Sequence, residues 1–209
     1  MKAHPENPSR PHLVLVPTDL ERQRLATVLA CPMELAGFGP IAAAARTASL
    51  LAERCPPHVW LLGIAGTYDE EAFPIATARA FRRFGSWGVG AGEGPEFRTA
   101  GDLGWPHWPG PPAIGDRIDQ TEHGPRLVTV CAASSGPDQP AAIRRAYPDA
   151  LAEDMEAFAV AFACGGIPFT CIRGASNVAG DRNVRGWQIE RALDAVAQLA
   201  LDLIPSENR

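Results

Sequence analysis

The chain has 209 residues, 46% hydrophobic and 21% charged, with a formal net charge of −5. That length suits one compact α/β domain with a sizeable core; the mild acidity, with no clustered Lys/Arg run, argues against a nucleic-acid or anionic-membrane partner, because phosphate binding needs a concentrated basic surface. No apolar run reaches the roughly 18 residues of a bilayer span, the five cysteines contain no CxxC pair and read as reduced core thiols, and no His/Cys spacing suits zinc, so neither metal nor cofactor is expected.

Residues 1–11 lack the apolar core of a secretory signal and read as a loose tail, leaving 12–205 as the expected domain. His12–Val16, HLVLV, lies between Pro11 and Pro17 and suits a buried first strand. Thr18-Asp-Leu-Glu21 matches the capping box, which predicts a helix running to about Ala30. After the turn Gly37–Pro40, Pro40 opens an alanine-rich helix that ends near Arg54. His58–Leu62 is a second buried strand, running into Gly63-Ile64-Ala65-Gly66. That turn could bring backbone amides close to a ligand, or be a simple tight strand exit.

From Tyr68 to Arg126 the chain is rich in Gly, Pro and Trp and carries little periodicity, which predicts loops with short strands. Arg126–Cys131 is another strand and Gln139–Tyr147 a short helix. Glu153–Cys164 reads as a helix closed by Gly165-Gly166, followed by a strand over Ile167–Ile172 with Arg173–Asn177 just past its end. From Trp187 the positions Ile189, Leu193, Val196, Leu199, Ala200 and Leu203 recur at helical spacing and predict an amphipathic helix. Strands alternating with helices imply a three-layer α/β/α architecture around a mixed, largely parallel central sheet. Ligands of such sheets sit at the carboxyl ends of the strands.

Several residues near that edge have two readings. Glu156, in the first turn of its helix, either complements the helix dipole or joins Met155 in the crevice and accepts hydrogen bonds from sugar hydroxyls. Glu21 is wanted by the capping box in any case, yet its place after the first strand makes it a second carboxylate at the same edge. Arg173 and Asn177 sit where loop polar groups tend to function, with a surface ion pair and a turn Asn as the plainer readings. Two patterns are set aside: GVGAGEG has Glu93 in place of the last required Gly and no preceding strand, and Ser134-Ser135 lack a GxSxG elbow.

Glu21 after a strand, GIAG after the next, then DMEAFAVA, IPFTCIRGASN and DRNVRGWQIERAL together resemble the nucleoside phosphorylase and nucleosidase superfamily. Asn177 followed by the DR…W stretch is most similar to its branch that releases hypoxanthine from futalosine in menaquinone biosynthesis. The resemblance implies a nucleoside phosphorylase-like fold in a cytoplasmic enzyme acting on a small-molecule purine nucleoside, as a homo-oligomer, a dimer first. Glu21 would orient or deprotonate the attacking water, supported by Arg173 and Ser176, and Asn177 would face the purine. Glu156 would hold the ribose hydroxyls, with Met155, Phe169 and the amides of Ile64, Ala65 and Gly66 around the substrate.

Hypoxanthine presents two acceptors on one edge, to which an Asn amide donates and which an ionised Asp would repel. Futalosine also carries an aromatic carboxylate, for which Arg79, Arg82, Arg83 and Arg98 are candidates, and Trp87, Trp105 and Trp108 are candidates for a subunit contact. A phosphorylase, an adenine-specific nucleosidase of the same fold, or a nucleoside-binding relative without turnover remain as alternatives.

Overall fold

A computed structural model describes residues 11–206 of the chain, so most of the expected tail lies outside the described residues. Strand β1 (Leu13–Val16) is fully buried. Helix α1 (Asp19–Leu25) starts with the expected capping box: the Thr18 side chain accepts from the Glu21 amide, and the Glu21 carboxylate accepts from the Thr18 amide. It stops at Leu25, short of Ala30, where the β-branched Thr27 and Val28 begin a turn that buries Leu29. Then follow β2 (Glu34–Leu35), α2 (Pro40–Arg54), β3 (Val59–Thr67), β4 (Ala78–Phe81), β5 (Arg83–Trp87), β6 (Gly90–Ala91), β7 (Arg98–Thr99), β8 (Arg117–Asp119) and β9 (Arg126–Val130). The chain finishes with α3 (Asp138–Ala146), β10 (Ala150–Asp154), α4 (Ala157–Cys164), β11 (Phe169–Val178) and α5 (Ile189–Leu203).

Nine strands make one sheet, ordered β2-β1-β3-β10-β9-β5-β8, with β11 also on β3 and β4 beyond β11; β6 and β7 pair separately. The pairs are mostly parallel, with antiparallel joins at β3/β10, β4/β11 and β5/β8. Side chains alternate across the central strands. Leu13, Leu15, Leu61, Phe169 and Cys171 pack toward α2 and α4, while Val14, Val16, Leu62 and Ile172 pack toward α1 and α5. The sheet is therefore the middle of three layers. Helix α4, AFAVAFAC, is apolar all round and mostly buried, whereas α5 buries one stripe, Ala192, Leu193, Val196, Ala197 and Ala200.

Four sequence expectations change. Glu153 and Asp154 end strand β10 and do not begin a helix, and Glu156 is the N-cap residue of α4, outside its first turn. The ALAED run is buried along its whole length, because distant partners satisfy its two acids. Gly63–Gly66 is no turn, since β3 continues to Thr67 with β11 beside it. Arg173–Asn177 likewise lie within β11 and not past its end. The Gly/Pro-rich middle contributes β4, β5 and β8 to the main sheet.

Candidate active site

The two long strands β3 and β11 pair along their full length, from Val59/Phe169 to Thr67/Val178. On its other edge β3 has two shorter neighbours. Its first residues, Val59–Leu61, pair with β1 in parallel, and its last, Gly66 and Thr67, pair with β10 running the opposite way. The carboxyl ends of β1 and β10 thus approach each other across Leu62–Ala65, a stretch of β3 without a strand partner on that side. An unpaired, buried backbone N–H must find another acceptor. The amide of Ile64 donates to Glu21 Oε1 at 3.1 Å.

Glu21 is buried, and its carboxylate also takes the Thr18 amide at 3.1 Å and the Thr18 hydroxyl at 2.7 Å through Oε2. The capping residue and the acid at the strand edge are one side chain with one orientation. A carboxylate offers about four acceptor positions, so three donors leave about one for a ligand or water.

Glu156 enters from the β10 side. Its Oε1 accepts from the Gly39 amide at 3.0 Å and its Oε2 from Arg173 Nη2 at 3.0 Å. Gly39 holds φ at +84°, a conformation suited to glycine, and this aims its amide at the carboxylate. Burial pushes the Glu156 carboxyl up to about 7, against the pull of the Arg173 guanidinium.

Arg173 is fully buried and does not line the cavity described below; its Nη2 lies 2.6 Å from Asp154 Oδ2 as well as 3.0 Å from Glu156 Oε2. It passes over Gly63, where a Cβ would stand 2.1 Å from Arg173 Nη1 and 2.6 Å from Glu21 Oε1. Asp154 and Glu156, near the start of the EDMEAFAVAFACGGIPFTCIR segment, are thus paired inside the protein with the arginine at its end. Arg173 is ion-paired with the two carboxylates behind the cavity wall.

Near the end of β11 the register slips between Ala175 and Asn177. Such a bulge re-aims side chains, and both Ser176 and Asn177 line the cavity. Asn177 Oδ1 accepts from the Ser176 hydroxyl at 2.7 Å, and its Nδ2 donates to the Val178 carbonyl at 2.8 Å. Nδ2 carries two hydrogens, so one remains for a further acceptor.

A cavity of about 390 Å³ opens over these groups, lined by Glu21, Ile64, Ala65, Gly66, Met155, Glu156, Ser176 and Asn177. Nearly all the residues selected from the sequence therefore meet in one place. Phe169 does not: it is fully buried at the start of β11, 5.0 Å from the Phe84 ring, far along the strand from Asn177. Arg79, Arg82, Arg83 and Arg98 do not line the cavity either. Arg83 is committed to Asp149 at 2.9 Å, and Arg79 and Arg98 donate to backbone carbonyls.

Sequence reasoning missed Glu153, Asp154 and Ser134, which line the cavity, and the tryptophan and arginine of the next loop, Trp187 and Arg182. Glu153 accepts from the Ser134 amide at 2.8 Å, the Ser134 hydroxyl at 2.6 Å and the Tyr68 hydroxyl at 2.9 Å. Burial, and after it the Glu153 carboxylate, pushes the Tyr68 phenol well above its ordinary value. A signal was available in DR…W, which follows the bulged strand within about ten residues.

A deep cavity at the strand ends, with buried acids on its floor and an amide on one wall, belongs to an α/β protein built to hold a polar small molecule. The family model of the Phosphorylase superfamily matches residues 27–205, and the chain is a member of that superfamily. It is 34% identical over 180 residues to a futalosine hydrolase of Streptomyces coelicolor, covering 79% of this chain and 76% of the relative. The native futalosine hydrolase of Helicobacter pylori shares the fold at a TM-score of 0.75 and 12% identity, over 94% of this chain and 97% of the other. A 5′-methylthioadenosine/S-adenosylhomocysteine nucleosidase of Colwellia psychrerythraea, in complex with adenine, aligns at a TM-score of 0.73 and 18% identity, over 93% and 94%.

Proposed function

We propose that this chain hydrolyses the N-glycosidic bond of futalosine and releases hypoxanthine, as a step of menaquinone biosynthesis in the cytoplasm. The observation that carries the reading is Asn177: an amide, with a spare donor, lines the same cavity as Glu21 and Glu156. An amide donates to the O6 and N7 acceptors of a 6-oxopurine, whereas adenine offers its N6 amino donor at that edge. The identity to a futalosine hydrolase supports the same choice.

In this reading Glu156 uses its two remaining acceptor positions for the ribose hydroxyls, with Met155 against the sugar. Glu21 holds a water with its free lone pair and takes the proton as the water attacks C1′. The glycosidic bond breaks through an oxocarbenium-like sugar, and the electron pair leaves with the purine, which the spare Asn177 N–H stabilises and which takes up a proton from solvent, while the Ser176 hydroxyl holds the Asn177 amide in place. The ionised acids beneath the sugar offset its developing positive charge, so positioning and electrostatics supply most of the acceleration. Arg173 keeps Asp154 and Glu156 in place. Among the described residues Arg182 is the one arginine lining the cavity, so the convergent arginines that a phosphorylase needs for phosphate are missing.

The test is hypoxanthine release from futalosine by the purified chain with and without inorganic phosphate. Release in both conditions is expected; strict dependence on phosphate, or cleavage of methylthioadenosine alone, would defeat the proposal. Glu21→Gln should lower the turnover rate about a hundredfold to ten-thousandfold, measured in the same assay.

We further infer that residues 12–205 act as one domain and that the enzyme is a homodimer. Phe38 and Leu20 line the cavity yet are 69% and 58% exposed, and Ile41 beside them is 87% exposed. A patch of large apolar side chains at a ligand cavity favours burial against a second copy. Trp105 and Trp108 are exposed and eligible for that contact, whereas Trp87 is buried against Phe97.

A further inference from the structure

The acids of the cavity, Glu21, Glu153, Asp154 and Glu156, are buried on its floor, and Arg173, fully buried, is ion-paired with two of them and does not line the cavity. One cation of the lining stands elsewhere. Arg182 is exposed and places its guanidinium 5.1 Å from the centre of the Trp187 ring, which also lines the cavity. No carboxylate among the described residues forms a salt bridge with it.

Its loop is tied down. The Trp187 indole donates to the Asp181 carbonyl at 3.2 Å, the Asp181 side chain accepts the Asn183 amide at 2.8 Å, and the Gln188 amide donates to the Ser176 carbonyl at 2.8 Å. The last of these bonds links the loop to the residue beside Asn177. A guanidinium over an indole ring, with no ion-pair partner of its own, keeps its fork of donors for a ligand, the arrangement that takes a carboxylate by two parallel hydrogen bonds.

An anionic group cannot sit deep in this cavity, where it would face the floor acids. It can sit at the mouth, by the unpaired cation. We propose that Arg182, held on Trp187, is the specificity residue that binds a carboxylate on an aromatic substituent at the 5′ side of the nucleoside, so that the enzyme prefers anionic nucleosides to neutral ones. The inference rests on the nucleoside reading of the cavity given above and adds the residue that meets the acidic tail. It replaces Arg79, Arg82, Arg83 and Arg98, which lie away from the cavity.

The experiment is calorimetric titration of futalosine and of inosine, its counterpart without the acidic tail, into Glu21→Gln protein, whose slowed turnover leaves the nucleosides largely intact during the titration. Futalosine should bind about tenfold to a hundredfold more tightly than inosine, the worth of a hydrogen-bonded charge pair. Adding Arg182→Ala should bring the ratio of the two dissociation constants close to one, and Arg182→Lys should keep part of it. An unchanged ratio in Arg182→Ala, or equal affinities in the parent, would overturn the assignment of Arg182. Failure to bind either nucleoside would overturn both this inference and the nucleoside reading. Binding with an Arg182-dependent preference, but no hypoxanthine release from the protein with Glu21 intact, would keep the specificity residue and remove the hydrolase.

Discussion

Asn177 shows how much one atom can decide. Its Nδ2 has a hydrogen to spare, and a carboxylate oxygen in that place would present a lone pair to the purine acceptors. Asn177→Asp should therefore lower hypoxanthine release from futalosine about tenfold or more, and raise cleavage of an adenine nucleoside relative to it, in a side-by-side rate assay. Glu156 makes a prediction in pH. Its carboxyl stands at about 7 against an ordinary 4.5, chiefly through burial. A raised carboxyl favours folding while protonated; that contribution is complete below about 4.5 and fades as pH climbs through about 7. In the proposed sugar site binding runs the other way, since the ionised group is the form that accepts from both sugar hydroxyls. Nucleoside affinity should strengthen from about pH 6 to about pH 8, and Glu156→Gln should lose the inflection; a flat calorimetric profile in the wild type would take Glu156 out of the sugar site. Glu21, Glu156 and Asn177 stood out in the sequence near expected element boundaries, and the resemblance to the nucleosidase superfamily chose between their two readings. Glu153 and Asp154 were not, because two acids ahead of an apolar helical run read as a solvated helix start. Tyr68, Ser134, Thr129 and Arg173, brought in by other parts of the chain, make their burial tolerable together with the Ala157 amide.

The elements that build the site are strands longer than they look. GIAG and RGASN contain Gly, Ala, Ser and Asn, residues of low strand preference, and periodicity ends β3 and β11 too early. Their full pairing comes from each other, nine register positions that no local pattern encodes. Gly63 is small for a reason found across the sheet, where the Arg173 guanidinium and the Glu21 carboxylate occupy the space of its missing side chain. Gly63→Ala should destabilise the fold by about 1–3 kcal/mol in urea unfolding and suppress turnover, since the two groups it would strike cannot both move without losing buried partners. Gly66→Ala, whose Cβ would meet Ala179 Cα at 3.2 Å, should cost less in the same measurement. Equal costs would mean that the crossing of Arg173 over Gly63 is not a tight constraint.

Across the whole molecule the cavity collects residues from β1 to α5, so its mouth is also part of the outer surface. Leu20, Phe38 and Ile41 stand there exposed to water, which a lone chain gains nothing by leaving open. Sedimentation should find a dimer, and Ile41→Glu together with Phe38→Glu should give a monomer, because a charge on a self-complementary apolar interface is buried twice. A monomeric wild-type chain at micromolar concentration would show that the patch serves another purpose. No helix of the described residues is long and apolar enough to cross a membrane.

By itself the sequence determined the layers and the cast of the site: short apolar runs fix buried strands, caps and 3.6-residue periodicity fix the helices, and a few polar residues at element ends stand out against them. It did not determine which acids are buried, how far the two central strands run, or which arginine faces the cavity. Those depend on partners tens of residues away, since a charge enters the interior only where another element supplies its counter-charge and hydrogen bonds. Arg173 and Arg182 are alike as letters; one lies beneath a glycine in the sheet and the other rests on a tryptophan at the rim, and the packing of the strands makes that difference.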